Sequence, residues 1–403
     1  MTTQFLPHNK MYLVKGYKDL TRWKQRHRFH SHVKKRTPPK KNGSNGSNSG
    51  LTQIPKNFDI GIAVELMQLS IYAYDQYTDF KNNKVWSIPD SSYYVVKTLY
   101  STSEKDNPPI GFIATKLNKD NVKVIYVSWR GTRGFAEWMH DADFTQTEFL
   151  SNNGPKVEKG FYDLYTITNN ISKPPPRQIV IDYLNDIWDA STTVPIVHIT
   201  GHSLGGALAV LNTYDIVMNT KFKEVKTYNF AGPRAGSPAF ADAFNTHVNL
   251  CWRVVNINDT VPTLPPTSLN YKHVEGCGGN CTTPDNPDTN PGLFQITFGK
   301  KSDPAQAHSA STYFQTLKDL QSKLEMQNRQ AFSGAKHALL KIAAVTRYGS
   351  ASLAGRLSSR YPHPVCSTEF GMRMLASRLP AAKLNVRASL VSHIPFKRSE
   401  LSP

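Results

Sequence analysis

Three residue types that combine into one chemical device occur in order along this chain: a serine between glycines, an aspartate just past a strand, and a histidine opening a late helix. The serine is Ser203, in Gly201-His202-Ser203-Leu204-Gly205-Gly206. Glycines two before and two after a serine fit the strand–turn–helix elbow that exposes a nucleophile. The turn forces the serine into unfavourable φ/ψ, and Gly201 and Gly205 lack the Cβ atoms that would collide there. Its hydroxyl then stands above a helix N-terminus, whose free N–H groups favour negative charge. A serine hydroxyl is a weak nucleophile at neutral pH, so it needs a base within reach and a carboxylate to orient that base. Asp259, in Asn258-Asp259-Thr260-Val261-Pro262, lies just beyond an apolar strand and is the strongest carboxylate candidate. Asp242, Asp285, Asp288 and Asp303 sit in helix or polar-loop contexts and are weaker. His308 opens the helix Ala307-His308-Ser309-Ala310-Ser311-Thr312-Tyr313-Phe314 after a long loop, where an imidazole projects toward the serine. His273 is read as a structural residue on a strand, and His202 as a local packing residue pointing away from the nucleophile. A tetrahedral oxyanion needs two donors. The N–H of Leu204 is one; Thr132, in Arg130-Gly131-Thr132-Arg133-Gly134, offers the second through its N–H and hydroxyl. The competing reading of the glycines is a phosphate cradle, but no Gly-Lys-Ser/Thr follows as a Walker-type loop requires.

These residues need elements to hold them. Pro195 to Thr200 is an apolar, β-branched run that reads as a buried strand, and Ala207 onward is a helix reaching about Asn219. Ile60, Ala63, Val64, Met67 and Ile71 recur at helical spacing, which predicts a helix over 58–77. Strands are expected at 92–99, 110–117, 122–129, 225–231 and 252–257. Helices are expected at 177–190, 238–245 and 305–325. Strands alternating with helices imply an α/β fold with a mostly parallel central sheet, its functional residues at the carboxyl ends of the strands.

The net charge of +18 suggests a nucleic-acid binder until it is divided along the chain. Residues 1–50 carry 12 Lys/Arg against 1 acid, and residues 326–403 carry 12 against 2. The segment 51–325 has 24 basic and 27 acidic residues, so the chemical unit is close to neutral and nucleic acid is not expected as its partner. Residues 1–50 therefore read as a basic, disordered extension ending in a Gly/Ser/Asn linker, 51–325 as the enzyme-like domain, and 326–403 as a poorly ordered basic extension. Neither tail excludes attraction to a lipid surface. Four cysteines give no framework; Cys277 and Cys281 are close enough to pair locally, and a zinc site lacks a fourth ligand. No apolar run approaches the roughly 18 residues of a membrane span, and no secretory signal is visible, so a cytoplasmic location is favoured.

The ordered motifs resemble the class 3 lipases, the fungal-lipase-like branch of the α/β hydrolases. The resemblance spans about residues 60–325. It includes Ser128-Trp129-Arg130-Gly131-Thr132-Arg133-Gly134-Phe135 through Asp141, Val157-Glu158-Lys159-Gly160-Phe161, Gly201–Gly206, Phe230–Gly236 and Val254–Pro262, in family order. It implies an α/β-hydrolase fold, a Ser203–His308–Asp259 triad, and Thr132 with Leu204 as oxyanion hole. It also places Tyr271–Gly276 in a segment whose histidine is not the catalytic one. Phe135, Trp138 and Met139 fall where these lipases carry a lid, and their i, i+3, i+4 spacing gives one apolar face. The implied activity is hydrolysis of carboxylic esters without a cofactor, with triacylglycerol as first substrate. A phospholipase A1 or galactolipase activity on the same site is the alternative, and a non-catalytic lipid-binding protein is the other class.

Overall fold

The computed structural model describes residues 54–55, 58–101, 106–132, 144–168, 173–275, 292–300 and 302–357. Among the described residues, nine strands form two sheets. The large one contains β1 (Tyr94–Tyr100), β2 (Pro109–Leu117), β3 (Lys123–Trp129), β6 (Ile196–His202), β7 (Val225–Phe230), β8 (Cys251–Asn256) and β9 (Leu293–Ile296), neighbours in that order. β1, β2 and β3 pair antiparallel, whereas β3, β6, β7, β8 and β9 are all parallel. β4 (Gln146–Glu148) and β5 (Lys156–Glu158) make a separate antiparallel ribbon. The large sheet is mostly parallel and flanked by helices, the α/β architecture expected from the sequence.

The parallel strands read as near-continuous apolar runs because both faces are covered. Along β3, Ile125, Val127 and Trp129 join one core while Val124 and Tyr126 join the other. The first core packs against α2 (Lys159–Thr166), α3 (Pro176–Ala190), α4 (Leu204–Asn219) and α5 (Pro238–His247). The second packs against α1 (Ile60–Lys81) and, beyond the short α6 (Pro304–Ala307), the start of α7 (Ala310–Leu357). Each large side chain buried there contributes about 1.5–3 kcal/mol. Caps set the helix starts. Asp59 Oδ1 accepts from Ile62 N at 3.0 Å to begin α1, and Glu158 Oε2 accepts from Phe161 N at 2.7 Å to begin α2. Pro238 follows the cap Ser237 at the start of α5.

Register brings the strand ends together. β3 and β6 pair Trp129 with Gly201, so the turn beginning at Arg130 runs beside His202 and Ser203. β6 pairs His202 with Phe230, and β7 pairs Phe230 with Val254, which puts the chain leaving β8 next in line. α1 is keyed to the same sheet by polar contacts. Ser128 Oγ donates to Leu69 O at 2.9 Å, and the Ser70 and Thr200 hydroxyls meet at 3.0 Å.

Two sequence expectations need revision. α7 continues past Glu325 to Leu357, so the domain boundary drawn at 325/326 falls inside a helix. Residues 326–357 contain no proline, and Gly334 costs only about 1 kcal/mol in a helix interior. His273 is not on a regular strand; next to it, Lys272 makes only an isolated bridge to Gly236.

Candidate active site

Ser203 sits at the N-cap position of α4 but does not cap it. N-cap serines usually accept a hydrogen bond from the first turn. Here the backbone is held at φ 61° and ψ −130°, and the side chain makes no cap bond. A non-glycine residue in this region costs on the order of 1–3 kcal/mol, sustained by the packing around it. The glycines admit the close approach: a Cβ on Gly201 would lie 2.0 Å from Gly205 O, and one on Gly205 would lie 2.2 Å from Trp129 O. The strained backbone turns Oγ toward His308, whose Nε2 lies 2.8 Å away. The other ring nitrogen, Nδ1, is 2.8 Å from Asp259 Oδ2. A carboxylate only accepts, so Nδ1 carries the proton and Nε2 is left to accept from the serine hydroxyl. Ser203 and Asp259 are buried, and the His308 side chain retains 15% of its accessibility. The three residues singled out in the sequence are thus brought into one hydrogen-bonded line.

Asp259 is held from two further directions. Val261 N donates to its Oδ1 at 2.9 Å, and Tyr313 OH donates to its Oδ2 at 3.1 Å. That tyrosine oxygen in turn accepts from Asn256 N at 2.7 Å. Burial first, and the Asp259 charge second, push the Tyr313 hydroxyl well above its ordinary range, so it remains a donor. Asn256 ends β8 and ties the loop before the histidine, with Nδ2 donating to Ala307 O at 2.9 Å and to Phe298 O at 3.2 Å. Sequence reasoning missed both Asn256 and Tyr313. A signal existed for Tyr313, five residues after His308 in the segment expected as one helix; in the structure His308 does not open that helix but lies in the break between α6 and α7.

The turn after β3 is pinned by Arg130, which donates from Nε to Pro109 O at 3.0 Å and stacks over Tyr77 at 4.1 Å. Gly131 packs so closely that an added Cβ would lie 3.0 Å from Ser203 Cβ. Thr132 follows directly and is half-buried. Leu204 opens α4 and is buried beside it. The lid candidates Phe135, Trp138 and Met139 lie outside the described residues, as do Cys277 and Cys281. Cys251 is buried, and burial pushes its thiol up to about 12.

The other histidines separate clearly. His273 Nε2 donates to Pro262 O at 2.6 Å and so braces the loop that follows Asp259. Desolvation, then the charges of Arg253 and Arg234, push it well below its usual value. His202 is a correction. Its ring does not point away from the site but lies against His308, with centroids 4.7 Å apart. Among the described residues no group of three or more His, Cys, Asp or Glu could hold a metal ion.

Residues 126–269 match the family described as Lipase (class 3), so the family resemblance is borne out over that segment. The chain is 30% identical over 215 residues to phospholipase A(1) DAD1, chloroplastic, of Arabidopsis thaliana, covering 45% of this chain and 47% of that protein. It is 32% identical over 162 residues to a lipase of Rhizopus niveus, covering 39% and 38%. The matches therefore span about half or less of these curated relatives. Among solved structures, lipase II from Rhizopus niveus aligns at 24% identity with a TM-score of 0.41, covering 53% of this chain and 78% of that one. Among the described residues no helix is long and apolar enough to cross a membrane. The cytoplasmic expectation gains no support from the plant relative, whose name places it in the chloroplast.

Proposed function

We propose that this chain is a serine carboxylic-ester hydrolase acting on lipid esters, with triacylglycerol as first substrate. The observation that carries the reading is the unbroken line Ser203–His308–Asp259, with both hydrogen bonds at 2.8 Å. In this mechanism His308 Nε2 takes the Ser203 proton as Oγ attacks the ester carbonyl. Asp259 holds the imidazole in the tautomer that accepts that proton and stabilises the imidazolium that forms. The N–H of Leu204 and the N–H and hydroxyl of Thr132 receive the oxyanion. His308 then protonates the leaving alcohol, and a water activated by the same imidazole releases the acyl group as a carboxylic acid. Metal and cofactor have no part in these steps.

A second reading, a phospholipase A1-type acylhydrolase, is supported by the plant relative that bears this name at an identity similar to that of the fungal lipase. Both readings share the chemistry and differ in the alcohol that leaves. A fluorophosphonate probe tests the shared part: it should label the full chain at Ser203, and Ser203→Ala should abolish both labelling and hydrolysis of p-nitrophenyl esters. Absence of labelling in the wild-type chain refutes the hydrolase reading in favour of a non-catalytic lipid binder, and labelling that survives Ser203→Ala refutes Ser203 as the nucleophile. Triacylglycerol and diacylphospholipid, offered as matched emulsions with the same acyl chains, then separate the two substrates.

A further inference from the structure

His202 is the buried polar group near the serine that the proposed reaction leaves without a task. Its backbone ends β6 immediately before the elbow, and only 2% of the residue is exposed. Nδ1 lies 3.0 Å from Tyr74 OH. The ring faces His308 at 4.7 Å with 36° between planes, and meets Tyr313 edge-on at 5.6 Å and 70°. Tyr74 comes from α1, one turn beyond Ser70, whose hydroxyl meets Thr200 two residues before His202. The Tyr74 hydroxyl also packs on the turn that carries Thr132, since a Cβ on Gly131 would lie 2.0 Å from it.

The two hydrogen bonds of His308 run along one axis, from Asp259 through the ring to Ser203. Such bonds fix the ring's edges, while its roll about that axis is limited by the Cβ tether and by whatever lies against its faces; His202 lies against one of them. Burial, and secondarily the proximity of His308, push His202 well below its usual range, while an interaction with the His308 backbone works weakly the other way. A neutral ring tolerates an imidazolium against its face, where a charged one would repel it. A tyrosine hydroxyl that donates to Nδ1 also fixes the His202 tautomer.

We propose that Tyr74 and His202 form a positioning pair: the His202 ring is the wall against which the His308 imidazole lies, and Tyr74 sets that wall and braces it on the Gly131 turn. The proposal rests on the hydrolase reading above and adds two residues that act through His308.

The test uses the full chain with a short-chain p-nitrophenyl ester, kcat and KM measured separately, the rate of fluorophosphonate labelling, and thermal unfolding as a check on folding. Tyr74→Phe removes one hydroxyl and should lower kcat about tenfold, the worth of one lost hydrogen bond. KM should stay within about twofold, because ground-state binding is untouched. His202→Phe keeps a flat ring and should match Tyr74→Phe. His202→Asn keeps a polar atom near Nδ1 but no ring, and should lose about 100-fold in kcat, as a misplaced base does. Labelling of Ser203 should slow in parallel and still reach completion. Wild-type kcat in folded Tyr74→Phe, or a rise in KM alone, would overturn the proposal, and Tyr74→Phe decides if His202→Asn fails to fold. A wild-type chain that neither hydrolyses the ester nor labels at Ser203 refutes the hydrolase reading itself, which is a different result.

Discussion

Asp259 and Asp215 are both buried aspartates beneath a tyrosine hydroxyl, yet they serve the molecule differently. Asp215, on α4, accepts from Tyr165 OH at 2.7 Å and pairs with Arg177, Nη2 to Oδ1 at 2.9 Å and Nε to Oδ2 at 2.8 Å. Its network continues through Asn212 to Trp129, whose indole donates to Asn212 Oδ1 at 3.2 Å. Every cation and hydroxyl there is fixed: arginine does not release its proton, and burial pushes the Tyr165 hydroxyl well above its usual range. Asp259 has a histidine where Asp215 has an arginine. Imidazole can gain and lose a proton near neutral pH, and its second nitrogen ends on a strained serine rather than in the core. A carboxylate under a tyrosine is therefore not by itself a mark of chemistry. What distinguishes the two is whether the partner can change charge and where its other side leads.

Exchanging the two acids for amides gives the sharpest break. Asp259→Asn should leave the fold intact and cut kcat by about 10⁴, because the imidazole loses its tautomer and its charge partner. Asp215→Asn should do the reverse, costing about 3–5 kcal/mol in chemical denaturation as Arg177 is left half-buried without its counter-charge. Its kcat, measured at a temperature where the variant is folded, should stay close to wild type. If Asp215→Asn abolished activity while folded, the division between a chemical and a structural aspartate would fail.

The tyrosines give a smaller version of the same contrast. Tyr313→Phe leaves Asn256 N without its acceptor and Asp259 with one donor fewer, and should cost about 1–3 kcal/mol. Part of that loss should appear in kcat for an ester substrate. Tyr165→Phe should cost a similar amount, seen wholly in the unfolding midpoint.

The last effect appears only in acid, and it must be assigned before pH profiles of the two aspartate variants are compared. His198 is pushed down to about 4, by burial first and then by Lys226. The unfolded chain thus binds a proton that the folded chain refuses between the ordinary histidine value and about 4. Stability from this residue is fully present above the unfolded value and is lost as pH falls through that window, by up to about 1.4 kcal/mol per pH unit. His198→Phe should flatten the acid limb of the thermal midpoint while leaving the neutral midpoint nearly unchanged. An unaltered limb would assign it to His202 and His273, whose values are also pushed well down.

Much of this arrangement is written locally in the chain. The elbow is legible because glycine spacing, a β-branched strand and a helix start all lie within a few residues of Ser203. Asp259 and His308 are legible because their places at the ends of elements restrict them. Tyr74 continues the apolar series of α1 from Met67 and Ile71, so its periodicity marks it as inward-facing but says nothing of the histidine it meets. That partner lies 128 positions away and is chosen by how α1 sits on β3 and β6. Asn256 and Tyr313 escape for the same reason, since their bonds join the end of a strand to a helix 57 residues later. β9 is only four residues long and gives too short an alternation to be read. The end of α7 escapes because no clear apolar periodicity marks residues 326–357, although no proline interrupts the helix there.

The uncapped start of α4 makes the resting protein an unfinished structure. Its first N–H groups sit beside a serine that the backbone has turned elsewhere, so the helix begins without the oxygen most helices recruit. An oxygen anion attached to Ser203 would supply it. The tetrahedral species is then not merely tolerated at this position but is the cap the helix lacks. A phosphonylated chain, carrying a permanent mimic of that oxygen, should melt above the free one and protect the amides of the first turn of α4 from hydrogen exchange before those of any other helix.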